Sequence, residues 1–371
     1  MTSRERFLKT FEFEETDRCF RWEYPGIWPS TINRWHKEGL PESVTAREGS
    51  EAFFGLDKLV WIGLGTSWTR DPFLPRFEQK VLEDEGETII KQDMQGIILR
   101  MKKENSDTSM PQFLSFPVET EKDYDEKITP RYKFDVPGRF PKNWQETCEE
   151  YNKRDYPVGL HLVGPFGHIR NLMGEENMMY ALYDEEEFFE KMLDNWCTFN
   201  LELLERVCKD VVPDAVMFWE DNCYRNGPLM SPEHFVKYMS PRLIKVIDFC
   251  KSKGIKNIIV DTDGNCRKML PVYLDCGVNG FYPFEVTAGM DINQVRAEYG
   301  KKFVIIGGID KRKFAISKEE TKKEVDRIAP LLKDGGFIPM ADHGLPFDIP
   351  LDNWLYFLEY LRNLDEKREL I

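Results

Sequence analysis

Asn257-Ile258-Ile259-Val260-Asp261-Thr262-Asp263-Gly264-Asn265 is the stretch on which the fold turns. An uncharged run rich in β-branched residues passes directly into acidic turn formers and a glycine, as a short buried parallel strand does where it meets its loop. Comparable runs stand at Val158–Val163, Ala215–Trp219, 280–283, 303–309 and 337–341. Helical patterns separate them at 184–208, 232–253, 266–276, 292–299 and 318–333. Ser231-Pro232-Glu233 and Ser317-Lys318-Glu319-Glu320 carry N-cap chemistry, and Lys253-Gly254 and Tyr299-Gly300 stop two helices. Strands alternating with helices make parallel β-α-β units. Six such units, with room upstream for two more strands, predict an α/β fold: a closed (β/α)8 TIM barrel with an elaborated N-terminal region.

Outward from this core the pattern is less regular. Residues 4–10 predict an amphipathic helix, residues 85–102 a β-meander or hairpin, and residues 103–141 an extended, charged excursion over the surface. The expectation is one domain over residues 1–371, with the hairpin and loop excursion near 85–141. No Gly-x-Gly-x-x-Gly follows any strand, so a dinucleotide fold is not indicated. Gly307-Gly308 sits at a strand end, where it either admits a ligand or relieves crowding in the barrel.

Hydrophobic residues make up 41% and charged residues 31% of the 371, the balance of a globular chain. A formal charge of −14 argues against non-specific binding to nucleic acid or anionic lipid. No window reaches the roughly 18 apolar residues of a membrane span. The charged opening Met-Thr-Ser-Arg-Glu-Arg predicts no secretion signal, and the expected location is the cytoplasm. The eight cysteines form no Cys-x-x-Cys pair and are expected as reduced, mostly buried thiols.

In a parallel barrel, chemistry collects where strands end. Four ends are acidic here: Trp219-Glu220-Asp221-Asn222, Asp261-Thr262-Asp263, Pro283-Phe284-Glu285 and Asp342-His343-Gly344. Asp261 and Asp263 project to one side of their strand and repel unless a cation, a shared proton or a basic partner intervenes. Asp and Asn are also ordinary turn formers and N-caps, so each residue alone has a structural reading. Together they nominate Asp261, Asp263, Glu285 and His343 for catalysis and as tentative metal ligands. Trp219, Glu220, Asp221, Tyr282 and His161 are nominated for substrate binding. His343 beside Asp342 suits a proton shuttle or metal ligation. His161 and His168 flank a strand and its Gly-Pro loop, and either could face the pocket. His36 and His234 lie in surface-like stretches. No Gly-x-Ser-x-Gly elbow exists for a serine hydrolase.

The ordered series Asn226-Gly227-Pro228-Leu229-Met230-Ser231-Pro232, Asp261-Thr262-Asp263-Gly264-Asn265, Gly277 through Glu285, Gly307-Gly308-Ile309-Asp310 and Asp342-His343-Gly344-Leu345-Pro346 with Asn353 resembles the uroporphyrinogen decarboxylase-like superfamily. Arg4-Glu5-Arg6-Phe7 and Thr16-Asp17-Arg18 extend the likeness to the N-terminal part. The resemblance implies a (β/α)8 barrel with its site at the C-terminal mouth, and homodimers occur in the superfamily. Its decarboxylases act on an octacarboxylate with an Arg-Gln-Ala-Gly-Arg segment. Here that region reads Arg21-Trp22-Glu23-Tyr24-Pro25-Gly26, which would compensate such an anion poorly, although His343-Gly344 resembles the decarboxylases' late His-Gly. Its methyltransferases bind zinc through His-x-Cys-Gly and a late cysteine. Asp261-Thr262-Asp263-Gly264 and Asp342-His343 stand there instead, leaving oxygen and imidazole donors for a divalent metal.

The expected function is transfer of a methyl group from a small methylated, aromatic or otherwise apolar substrate to a corrinoid partner protein. A decarboxylase of a tetrapyrrole or smaller carboxylic acid is the alternative, and a non-catalytic barrel that binds a tetrapyrrole or corrinoid is a third reading.

Overall fold

The computed structural model describes residues 1–46, 49–64, 73–103, 110–134 and 136–367. Seven parallel strands form one sheet: β1 (Val60–Trp61), β2 (Val158–Val163), β3 (Ala215–Trp219), β4 (Asn257–Asp261), β5 (Gly280–Tyr282), β6 (Val304–Ile306) and β7 (Phe337–Ile338). They pair in sequence order, as successive right-handed β-α-β units do. The registers Val163 to Trp219, Trp219 to Asp261 and Asp261 to Tyr282 set these four residues on one level of the sheet.

Alternate residues of the strands meet in one apolar cluster that includes Leu59, Met217, Ile259, Tyr282, Ile306, Ile338 and Met340. Both sheet edges contribute to it, so the sheet curls round a shared interior. Phe7 and Phe11 of helix α1 (Ser3–Phe11) and the rings of Phe20, Trp22 and Tyr24 complete the filling. Among the described residues the sheet has no eighth strand where the sequence predicts a complete ring. The extended segment 20–28 reaches both edges instead. Asp57 N donates to Arg21 O at 2.7 Å beside β1, and Ile27 bridges Leu345 beyond β7. Ala341 N donates to the Glu23 carboxyl at 3.3 Å, so a side chain takes a donor that a ladder carbonyl would otherwise accept.

The helices follow the predicted alternation with shifted ends. The 184–208 pattern is Glu186–Asp210, preceded by a further helix, Pro165–Asp184, and the 266–276 pattern becomes regular only at Leu270–Cys276. The 232–253 pattern contains a π-helical turn, Phe235–Met239, before Ser240–Ser252. The expected meander is larger than its sequence signal, a four-stranded antiparallel sheet of Lys80–Asp84, Thr88–Gln92, Ile98–Lys102 and Gln112–Ser115. The expectation of an extended excursion over 103–141 is corrected in the described part. That segment supplies the fourth strand and the helical turns Glu121–Asp123 through Thr129–Arg131, because it buries Val118, Tyr124 and Ile128. Residues 104–109 and 135 of that expectation lie outside the described residues. Cys208 is partly exposed and the other seven thiols are buried.

Gly307 and Gly308 answer to crowding. A Cβ at Gly307 would lie 2.4 Å from Pro283 O and one at Gly308 2.3 Å from Ile292 Cγ2. Gly159 in β2 has the same character on the inner face, where the Trp61 ring occupies the space a side chain would need, 2.4 Å from an ideal Cβ. Gly159→Ala therefore overpacks the interior and is expected to cost about 1–3 kcal/mol in urea unfolding with the m-value unchanged.

Candidate active site

The loops that leave β4, β5 and β7 bring three of the nominated groups together. His343 Nε2 lies 3.6 Å from Asp263 Oδ2, both partly exposed. Glu285 Oε2 accepts the backbone N–H of Gly264 at 2.8 Å, tying the β5 loop to the β4 loop. Its carboxyl pKa is raised, first by burial and then by the nearby Asp263 charge, with Gly264, His343 and Lys311 opposing. The backbone prepares these positions. Phe284 has φ of +58° and Asp221 +47°, left-handed turns at non-glycine residues directly after strand ends, a conformation that costs on the order of 1 kcal/mol and concentrates at functional sites.

Asp342 acts through the backbone. Its Oδ2 accepts from Val286 N at 3.0 Å, its Oδ1 from Lys311 N at 3.3 Å, and Lys311 Nζ lies 3.9 Å away. Burial raises its pKa against the pull of Lys311. One carboxylate thus fixes the loops after β5 and β6, and Lys311 reaches the cluster with it. Lys311 escaped the sequence reading, although it directly follows Gly307-Gly308-Ile309-Asp310 at a strand end.

Beneath these groups the interior is aromatic. Tyr282 donates its hydroxyl to Tyr24 O at 2.6 Å, and the two rings meet edge-on at 5.3 Å. Burial, then the Asp261 and Asp263 charges, push the Tyr282 hydroxyl pKa well up. Asp261 is buried on the same level as Tyr282. His161 stacks on Trp61 at 4.9 Å and stands 5.8 Å from Tyr24; burial lowers its pKa to about 3, so it is a neutral ring at physiological pH. Trp61 had no sequence signal, since its strand is only Val60–Trp61 and no turn former follows at once.

The remaining nominations lie elsewhere. Glu220 is fully buried away from the cluster, its Oε2 accepting from Phe166 N at 2.9 Å and Gly167 N at 3.2 Å at the start of Pro165–Asp184. Gly164 makes room for it, since a Cβ there would stand 2.2 Å from Glu220 Cδ. The expected contact with substrate is replaced by a helix cap, because the side chain points to the helix side of its strand. Asp221 pairs with Arg170 at 2.9 Å, and that guanidinium covers the Trp219 ring at 5.0 Å. His168 is buried on the helix against the Tyr132 hydroxyl. His36 bonds Val44 O at 2.8 Å, and His234 lies within its own helical turn beside Ser231.

The tentative metal set does not fit a zinc ion. Among the described residues no three His, Cys, Asp or Glu side chains converge closely enough to hold one. Glu285 accepts from Gly264 N and Asp342 from Val286 N and Lys311 N, while Asp263 and His343 approach each other as a pair. No step is assigned to a metal.

The electrostatics yield two tests. Asp263→Asn removes the charge that helps raise Glu285, so the Glu285 carboxyl midpoint should fall in a carbon-13 NMR titration; an unmoved midpoint would uncouple the pair. Glu220 has a folded pKa raised to about 8 from an ordinary 4.5, mainly by burial, against the opposing pull of the Gly167 and Phe166 amides and of Arg170. A raised carboxyl pKa stabilises the fold below the unfolded value, and that contribution is lost as pH climbs through about 8. Glu220→Gln cannot ionise, and its melting temperature should gain on the parent's as pH is raised from 5 to 9 in a buffer series.

A family model described as uroporphyrinogen decarboxylase (URO-D) matches residues 100–364. No curated protein sequence matches the chain. Among solved structures, a methyltransferase from Methanosarcina mazei superposes with a TM-score of 0.65 at 14% identity, covering 99% of each chain, which shows a shared fold. A B12-independent methionine synthase from Shewanella sp. W3-18-1, in complex with selenomethionine, reaches a TM-score of 0.43 at 14% identity over 62% of this chain and 69% of that one. The curled parallel sheet, the acidic strand ends and the matched span lead to one assignment: the chain belongs to the uroporphyrinogen decarboxylase (URO-D) family.

Proposed function

We propose that this member of the family is a methyltransferase, moving a methyl group from a small methylated substrate to a corrinoid protein. The observation that carries the reading is the Asp263, Glu285 and His343 assembly, with Glu285 drawn toward its protonated form. When a methyl group leaves an ether or amine, the departing heteroatom needs a proton, and a carboxyl with a raised pKa is suited to supply it. In this mechanism Glu285 protonates the leaving atom, His343 returns the proton through Asp263, and Lys311 with Asp342 holds the loops in place. The methyl carbon keeps its three hydrogens and passes to the corrinoid of the partner protein, while the demethylated substrate leaves with the proton from Glu285.

The aromatic layer of Tyr24, Trp61 and Tyr282 supports a substrate with an apolar or aromatic body. In the same reading segment 20–28 completes the ring of strands and carries Tyr24 to the site. The acidic groups speak against an octacarboxylate substrate, which they would repel.

Candidate methyl ethers and methylamines, incubated with the protein and a reduced corrinoid protein, should give methylated corrinoid by absorbance and demethylated product by chromatography. Glu285→Gln should lower this rate by about 10²–10⁴-fold. Carbon dioxide released from a carboxylic acid without methyl transfer would replace this reading with the decarboxylase one.

A further inference from the structure

On the flank where segment 20–28 meets helix Leu351–Glu366, Arg21 and Arg362 face one half-open cleft. Its enclosed part is about 20 Å³, room for one small head group, the rest opens to solvent, and Glu23, Leu56, Leu358 and Leu361 also line it. Other arginines nearby are paired: Arg6 and Arg18 both reach Asp57, at 2.9 and 2.6 Å. Arg21 and Arg362 differ. Among the described residues neither guanidinium has a carboxylate within ion-pair distance. Arg362 gives one Nη to Phe54 O, and its buried Nε has no acceptor.

The surrounding charges sharpen the contrast. Arg18 and Arg362 repel Arg21, while Asp57 and Asp365 attract it from farther off. Burial and this repulsion lower its pKa, and burial with Arg18 lowers that of Arg362 against the attraction of Glu366. Glu23 is turned to Ala341 N rather than to the pair, with no ion pair to either guanidinium among the described residues, and burial pushes its carboxyl pKa well up. In a chain of net charge −14, two crowded and unpaired cations are a cost that an anion seated between them would relieve.

We propose that this cleft is a binding site for a small organic carboxylate, its head held by the Arg21 and Arg362 guanidiniums and its short apolar tail against Leu56, Leu358 and Leu361. Guanidiniums match a carboxylate's geometry through paired N–H donors, and the leucine wall favours an alkyl tail over a bare inorganic ion. The site needs no assumption about the reaction performed at the mouth.

Calorimetric titration of the full-length protein with butyrate at fixed ionic strength tests the proposal, with chloride and phosphate as comparison anions. Saturable binding is expected with butyrate and weaker binding with chloride. Arg21→Gln and Arg362→Gln should each weaken butyrate by at least about tenfold, while Asp263→Asn at the mouth leaves it unchanged. Arg21→Lys keeps the charge but not the fork and should fall between. Arg21→Gln is expected to fold, since it removes an unpaired cation, and a melting curve at least matching the parent's confirms this. No saturable heat up to about 100 mM butyrate, equal affinity in the arginine variants, or loss in Asp263→Asn overturns the site. Phosphate binding more tightly than butyrate replaces the carboxylate with an inorganic anion and overturns the proposed class.

Discussion

The mouth of this sheet is stitched by carboxylates that accept backbone N–H groups from neighbouring loops. Glu285 takes the amide of Gly264, and Asp342 takes those of Val286 and Lys311. Three bonds thereby link the loops after β4, β5, β6 and β7. A loop amide left unpaired near a buried interior is costly, and a carboxylate offers several acceptor sites at once. Under the proposed function the same groups that shape the mouth also supply its chemistry. Removing one changes both position and proton affinity, which is why pKa measurements separate the roles better than activity alone.

Charge placement divides the molecule into contrasting environments. At the mouth, burial first and then the Asp263 charge raise the Glu285 pKa. The interior below it is aromatic, with His161 neutral against Trp61 and Asp261 buried on the level of Tyr282. At the outer junction with Pro165–Asp184, Glu220 serves the backbone of a helix rather than a substrate. The flank beside Leu351–Glu366 sets Arg21 and Arg362 on one cleft.

Much of this was legible in the chain. The six apolar runs were punctuated by Gly, Pro or acidic residues, and the structure sets strands at all of them because periodicity and punctuation reflect local backbone preference. The meeting of Asp263, Glu285 and His343 followed from the rule that strand ends of a parallel sheet converge. Trp61 and Lys311 were not legible, since β1 is two residues long and a lysine after a strand end carries no distinguishing pattern. Glu220 misled because sequence position gave its level in the sheet but not the side on which its carboxyl finds donors.

By itself the sequence determined the parallel strand–helix alternation, their order and the acidic ends, because each depends on residues adjacent in the chain. Only the tertiary structure decided which carboxylates cap amides and which face the mouth, and which arginines are left without an acid. It also decided that segment 20–28 meets the sheet edges through the Glu23 side chain as well as its backbone. Those outcomes depend on hydrogen-bond donors and charges contributed by elements as much as 318 residues apart, such as Glu23 and Ala341, and local pattern holds no information about such partners.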